Sequence, residues 1–169
     1  PLAFRFGSLE PDLVPTFITT KHRIDLTFHK LEKKINKVID EYDKNKGMTI
    51  GLSKDLGIIT HYIADYFTFP HNIEYPGTMT EHIHYEAQLK VDFREFVQKM
   101  KEKHAHFQEV NMQSADEICT FIRKCHEEYL HAVKSVENDC RYILQICAQV
   151  VGAILHLLQQ NSMPLGCYM

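Results

Sequence analysis

The chain has 169 residues, 44% hydrophobic and 24% charged, enough to bury the core of one domain and too few for two comfortable ones. A formal net charge of −3 argues against a protein that grips nucleic acid through a broad basic surface. Eleven histidines are many for this length, which brings metal ligation and proton transfer into view, although most of them are expected on helix surfaces without a chemical role.

In chain order, residues 7–15 read as an ordered Gly/Pro-containing loop. Ile24, Phe28, Leu31, Ile35, Val38 and Tyr42 then recur at steps of three and four with Lys and Glu between them, an amphipathic helix ended by Asn45-Lys46-Gly47. A second helix is expected from about Thr49, a good N-cap, to Phe67, with Leu52, Leu56, Ile59, Ile63 and Tyr66 as its stripe. Residues 68–79 read as a loop. A third helix begins near Thr80 and carries Leu89, Phe93, Phe96 and Met100.

Ser114 and Glu117 form a capping-box pattern opening a helix through about Ala132, with a kink or break near Ser135 before a last helix through Gln160. That last segment, "ILQICAQVVGAILHLL", places Ile143, Ile146, Cys147, Val150, Val151, Ile154, Leu157 and Leu158 on one broad side and Arg141, Gln145, Gln149, His156 and Gln159 on the other. A membrane-spanning helix of about 20 residues would lack such a polar strip, so a core helix is expected and no transmembrane segment. No strand alternation, internal repeat or linker is present. The pattern is that of an all-α, single-domain multi-helix bundle spanning residues 1–169.

Five cysteines occur without a CxxC pair, four of them in helical segments, which predicts reduced, buried thiols and a cytoplasmic setting. The start at Pro1 predicts a processed or missing N-terminal segment, where a signal peptide would lie.

The chemistry concentrates in "HYIADYFTFPHN". Positions four apart on a helix stand one above the other, so His61 and Asp65 project together, opposite the Leu52–Tyr66 stripe. Ile50, Gly57 and Ile58 share their side, which predicts a helix buried on both faces, with room beside Gly57. A buried His–Asp pair and a metal site account for this helix equally well. The next helix repeats the spacing: His82 and Glu86 share a face with Leu89, Phe93, Phe96 and Met100, whereas His84 points elsewhere with Gln88, Asp92, Glu95 and Lys99. A buried carboxylate needs a cation or a strong donor. Neutral imidazole with carboxylate at this spacing is both a salt-bridge and a zinc-binding arrangement. With His71 after a tight Pro-containing turn, three imidazoles and two carboxylates fall within 26 residues, a donor set that suits zinc before manganese or iron.

"HYIADYFTFPHN" followed by "HIHYE" resembles the zinc-dependent phospholipase C family, whose signature runs His-Tyr-x-x-Asp, Pro-x-His or a close variant, then His-x-x-x-Glu. The single-strand-specific zinc nucleases of the same superfamily end the motif more often in His-x-x-x-Asp, so Glu86 leans toward the phospholipase branch. The resemblance covers about residues 6–90 and implies an all-helical fold with two or three zinc ions. It implies that His61 ligates one ion, that Asp65 bridges two, and that His71, His82 and Glu86 hold another. It also implies an upstream Asp and His, for which Asp12 and His22 stand here; an ordinary Pro-Asp turn and a helix-entry histidine are the alternatives for them. Pro70 directly precedes His71 where long-known members have an intervening residue. The third metal site of the family uses an N-terminal amine and an early histidine; with His22 as the first histidine, that site is incomplete or lies in a missing segment.

The activity so implied is hydrolysis of a phosphodiester, lipid or small molecule, by a zinc-activated water, with Asp65 at the metals and Asp12 orienting the water or accepting its proton. Tyr62, Tyr66, Phe67 and Phe69 would wall the site, or are plain core. A zinc nuclease or nucleotidase, and a helical protein with a structural or inactive metal site, are the alternatives. His29, His104, His106 and His156 are not offered as ligands, and His126, Glu127, Glu128 and His131 read as a polar helix surface.

Overall fold

The computed structural model describes residues 2–13 and 23–160, residues 11–13 by their backbone alone. Among the described residues the fold is all-α: α1 (Leu2–Leu13), α2 (Ile24–Asp40), α3 (Ile50–Tyr66), a one-turn 3-10 helix (Phe69–His71), α4 (Met79–Glu102), α5 (Ala115–Leu130) and α6 (Val136–Gln160). The helix starts follow local chemistry. Thr49 Oγ1 accepts from Leu52 N at 3.1 Å, as an N-cap should. Thr78 opens α4 with a complete capping box, its side chain accepting from Glu81 N while Glu81 caps Thr78 N. At α5 Ser114 Oγ accepts from Glu117 N, but the returning Glu117 carboxylate takes Gln113 N instead. The break near Ser135 is real, since α5 ends at Leu130 and α6 begins at Val136.

The periodic residues form one contiguous core. Leu31 and Ile35 of α2, Ile59, Ile63 and Tyr66 of α3, Ile118, Ile122 and Tyr129 of α5, and Ile146, Val150 and Ile154 of α6 are buried together. Burying each such side chain stabilises by about 1.5–3 kcal/mol before entropy is charged against it. By length and composition α6 could cross a membrane; Ile143, Ile146, Val150, Ile154, Leu157 and Leu158 on its apolar side are buried in this core.

The first segment departs from expectation. Residues 7–13 are helical, within α1, not a loop. The reason is packing: α1 lies so close on α3 that a Cβ at Gly7 would stand 2.0 Å from Lys54 O, and one at Gly57 2.2 Å from Phe4 O. The space that Gly57 leaves beside His61 is therefore filled by the backbone of α1. Helix α4 differs in another way. It packs against α6, but none of its residues is fully buried; Leu89 and Phe93 touch the core with part of their surface.

Candidate metal centre

The C-terminal end of α3 and the turn after it are built to hold a histidine in place. Thr68 Oγ1 donates to Ala64 O at 2.8 Å, closing the last turn of α3. Pro70 sits in the first turn of the 3-10 helix, where its fixed φ and missing N–H cost nothing. Asn72 Nδ2 donates to Tyr66 O at 3.2 Å and Thr68 O at 2.9 Å, and Asn72 Oδ1 pairs with His126 Nε2 at 2.8 Å. His71 is thereby carried against α4.

There His71 Nε2 lies 2.8 Å and His82 Nε2 2.9 Å from the same oxygen, Glu86 Oε1. The three ligand atoms all fall within 4.8 Å of one another, and the two imidazole rings meet edge to face with centroids 4.9 Å apart. Two imidazole nitrogens gathered around one carboxylate oxygen could hold a zinc ion with a coordination position to spare. The Glu86 side chain is 46% exposed, which departs from the expected buried carboxylate: the pair faces the α3 turn at the edge of the core rather than heading the apolar stripe inside it. Electrostatics agree with the geometry. Burial lowers the affinity of His71 for a proton, but the Glu86 hydrogen bond and the charges of Asp65 and Glu86 outweigh it and raise its pKa. The bond from His71 holds the Glu86 carboxyl below its usual range, against a smaller effect of burial.

The other pair stands one helix away. His61 Nδ1 is 3.0 Å from Ser8 O of α1; a carbonyl only accepts, so Nδ1 carries a hydrogen. His61 Nε2 is 3.1 Å from Asp65 Oδ2. A neutral imidazole with its hydrogen on Nδ1 would turn a lone pair toward a carboxylate at that distance. With Nδ1 on Ser8 O, His61 presents Nε2 on the Asp65 side, where the two side chains could share a cation. Both His61 and Asp65 act electrostatically on His71, so the two pairs belong to one charged neighbourhood.

Of the seven predicted ligands the structure brings His71, His82 and Glu86 into one cluster and His61 and Asp65 into contact beside it. Asp12 lies on the last turn of α1 by its backbone; its side chain, and His22 altogether, fall outside the described residues. Tyr66 and Phe67 are core, fully buried, while Tyr62 stands edge-on to His61 with centroids 5.9 Å apart. Among the described residues no cysteine joins this cluster: Cys119, Cys125, Cys140 and Cys147 are free thiols, and burial pushes the first three up to about 11.

Three supporting residues were not foreseen. His126 is buried rather than part of a polar surface, because it stands on the Ile118–Ile122–Cys125–Tyr129 side of α5 and reaches Asn72. Asp139 is wholly buried, at the head of the Ile143–Ile146–Val150 stripe, and accepts from Phe69 N, Tyr85 Oη and Tyr129 Oη. A carboxylate or imidazole on an apolar stripe is the signal that would have found Asp139 and His126. Ser8, which contributes a backbone carbonyl, had no signal in side-chain spacing.

A family model described as zinc dependent phospholipase C matches residues 1–139, extending past the motif region through α4, α5 and the first turn of α6. No curated protein and no solved structure matches the chain. The all-α fold, the His-x-x-x-Asp and His-x-x-x-Glu pairs on successive helices and this match over most of the length lead to one assignment: the chain belongs to the zinc-dependent phospholipase C family.

Proposed function

We propose that the chain is a metal-dependent hydrolase that cleaves a phosphodiester, with His71, His82 and Glu86 holding one zinc ion and His61 and Asp65 contributing to a neighbouring one, Asp65 as the bridge. The observation that carries this reading is the convergence of His71 Nε2 and His82 Nε2 on Glu86 Oε1, at 2.8 and 2.9 Å, in a member of a zinc-dependent family. Zinc bound there would supply a Lewis acid for the phosphate oxygens and a water of lowered pKa. The chain's own part is to fix the donors. Ser8 O holds the His61 tautomer so that Nε2 faces Asp65. The Asn72 amide fixes the turn that presents His71. Asp12 in this reading orients the attacking water or takes its proton, and His22 completes the ligand set.

The test is zinc content by elemental analysis together with hydrolysis of p-nitrophenyl phosphorylcholine, bis-p-nitrophenyl phosphate and single-stranded DNA. Two or three zinc ions per chain and turnover of a phosphodiester are expected, with Asp65→Asn lowering kcat by about 100-fold or more, the scale of losing one main electrostatic contributor. Preference for the phosphorylcholine ester would mark a phospholipid-like substrate, and preference for DNA a nuclease. Less than one zinc per chain, or full activity in Asp65→Asn, would sink the catalytic reading.

A further inference from the structure

Asp139 is a fully buried carboxylate, and each of its hydrogen bonds can be followed to an element. Oδ2 accepts from Phe69 N at 2.9 Å and from Tyr85 Oη at 2.8 Å; Oδ1 accepts from Tyr129 Oη at 2.7 Å. Phe69 N belongs to the turn two residues before His71. Tyr85 is on α4, next to Glu86 and three residues after His82. A single oxygen atom therefore ties together the two segments that carry the metal-holding trio, while the other oxygen ties the node to α5. Asp139 itself lies in the first turn of α6, where the helix dipole favours an anion. Lys134, whose Nζ caps Tyr129 O and Leu130 O and lies 5.8 Å from the Phe69 ring centroid, adds a compensating charge.

The arrangement matters because α4 packs along α6 without a fully buried anchor of its own. Half-buried apolar contacts such as those of Leu89 and Phe93 are less directional than a hydrogen bond, and a three-donor cluster needs its donors set to a fraction of an ångström. A directed bond to a buried anion is stronger than a neutral one and more demanding in geometry.

The structure assigns to Asp139 the role of a positioning residue for the metal centre: through Phe69 N and Tyr85 Oη it sets the spacing between the His71 turn and the His82/Glu86 face of α4. This rests on the reading of His71, His82 and Glu86 as metal-holding. Tyr129 supplies an internal control, since Tyr129→Phe and Tyr85→Phe each remove one donor from the same buried carboxylate, but only Tyr85 leads to a ligand-bearing helix.

The test is zinc affinity, measured on the metal-stripped full chain by competition with a chromophoric chelator, for the unaltered protein, Tyr85→Phe, Tyr129→Phe and Asp139→Asn, with circular dichroism and thermal melting beside it. Tyr85→Phe is expected to bind zinc about tenfold more weakly, the low end for loss of a supporting contact, with Tyr129→Phe within about twofold of the unaltered protein. The visible spectrum of the cobalt-substituted protein should change in Tyr85→Phe and not in Tyr129→Phe. Asp139→Asn should show the larger loss; where it fails to fold, the two tyrosine variants decide. Equal shifts in Tyr85→Phe and Tyr129→Phe, or none in either, would overturn the positioning role while leaving the metal centre standing. An unaltered chain that binds no zinc would remove the metal centre and this role with it.

Discussion

His126 shows how a residue outside the ligand set can govern the state of the site. Its burial, reinforced by the charge of Lys134 and opposed by the weaker effects of the Tyr66 backbone and of Asp25, depresses its pKa to about 4, so the native ring is neutral and pairs with Asn72 Oδ1 at 2.8 Å. The sign of the linkage follows. Above the free-histidine value of 6.5 both folded and unfolded chains hold a neutral ring, and the full stability is present. As pH falls toward 4 only the unfolded chain gains the proton, and stability drains away. Between pH 7 and 5 this one residue should account for a loss of about 2 kcal/mol. The check is urea unfolding of the metal-stripped protein at both pH values, for the unaltered chain and for His126→Gln, which keeps a donor for Asn72 but cannot titrate. The variant should lose about 2 kcal/mol less than the parent across that interval, and equal losses in the two proteins would show that His126 is not the titrating group. His71, whose shift is upward, titrates on the other side of 6.5 and contributes equally to both proteins.

At the scale of helices, the crossing of α1 on α3 links packing to the site. Gly7 and Gly57 bring the backbones together, and that approach is what places Ser8 O 3.0 Å from His61 Nδ1. Gly57→Ala raises intrinsic helix propensity by about 1 kcal/mol, yet its methyl group would collide with the backbone of α1 at Phe4 and Ser8. The collision should win, for a net destabilisation of about 1–3 kcal/mol. A thermal melt reads the stability, and the imidazole nitrogen shifts of His61 by NMR should report loss of the Nδ1–H bond; a stabilised Gly57→Ala would contradict the close crossing. The same crossing shows where sequence reasoning stops. Helices α2, α3, α5 and α6 were legible because periodic Ile, Leu and Phe positions define a buried side, and Thr49 and Ser114 mark their starts. His61, Asp65, His82 and Glu86 were legible because i, i+4 spacing places two groups on one side of a helix. Pairwise spacing carries no information about which helix lies across that side, so the room expected beside Gly57 proves to be where α1 packs. Nor does it reveal bonds between distant elements, which is why the Asn72–His126 and Asp139 contacts came only with the fold.

Across the whole molecule, stability is unevenly shared between the core and α4. The buried core side chains come from α2, α3, α5 and α6 together with Phe67, Met112 and the α3–α4 turn, whereas α4 packs along α6 through half-buried residues such as Leu89 and Phe93 and is tied by the Tyr85–Asp139 bond and by the bonds of His71 and His82 to Glu86. Exposed ion pairs and His–carboxylate bonds of this kind are individually worth about 1 kcal/mol or less. A metal shared by His71, His82 and Glu86 would replace two such bonds with coordination linking α4 to the α3 turn, and binding to the folded state alone stabilises by mass action, about 4 kcal/mol at a thousandfold excess over Kd. Metal removal should therefore act locally before it acts globally. Amide exchange after chelation should quicken first in residues 79–90 and in the 68–72 turn, while the amides of Ile59, Ile63, Ile122 and Ile146, all at the buried centre, keep their protection until the chain unfolds as a whole. Zinc added back should restore α4 protection and raise the melting temperature. Uniform quickening across core and α4 would mean that the metal supports the entire fold, and no change at α4 would mean that His71, His82 and Glu86 are not where it binds.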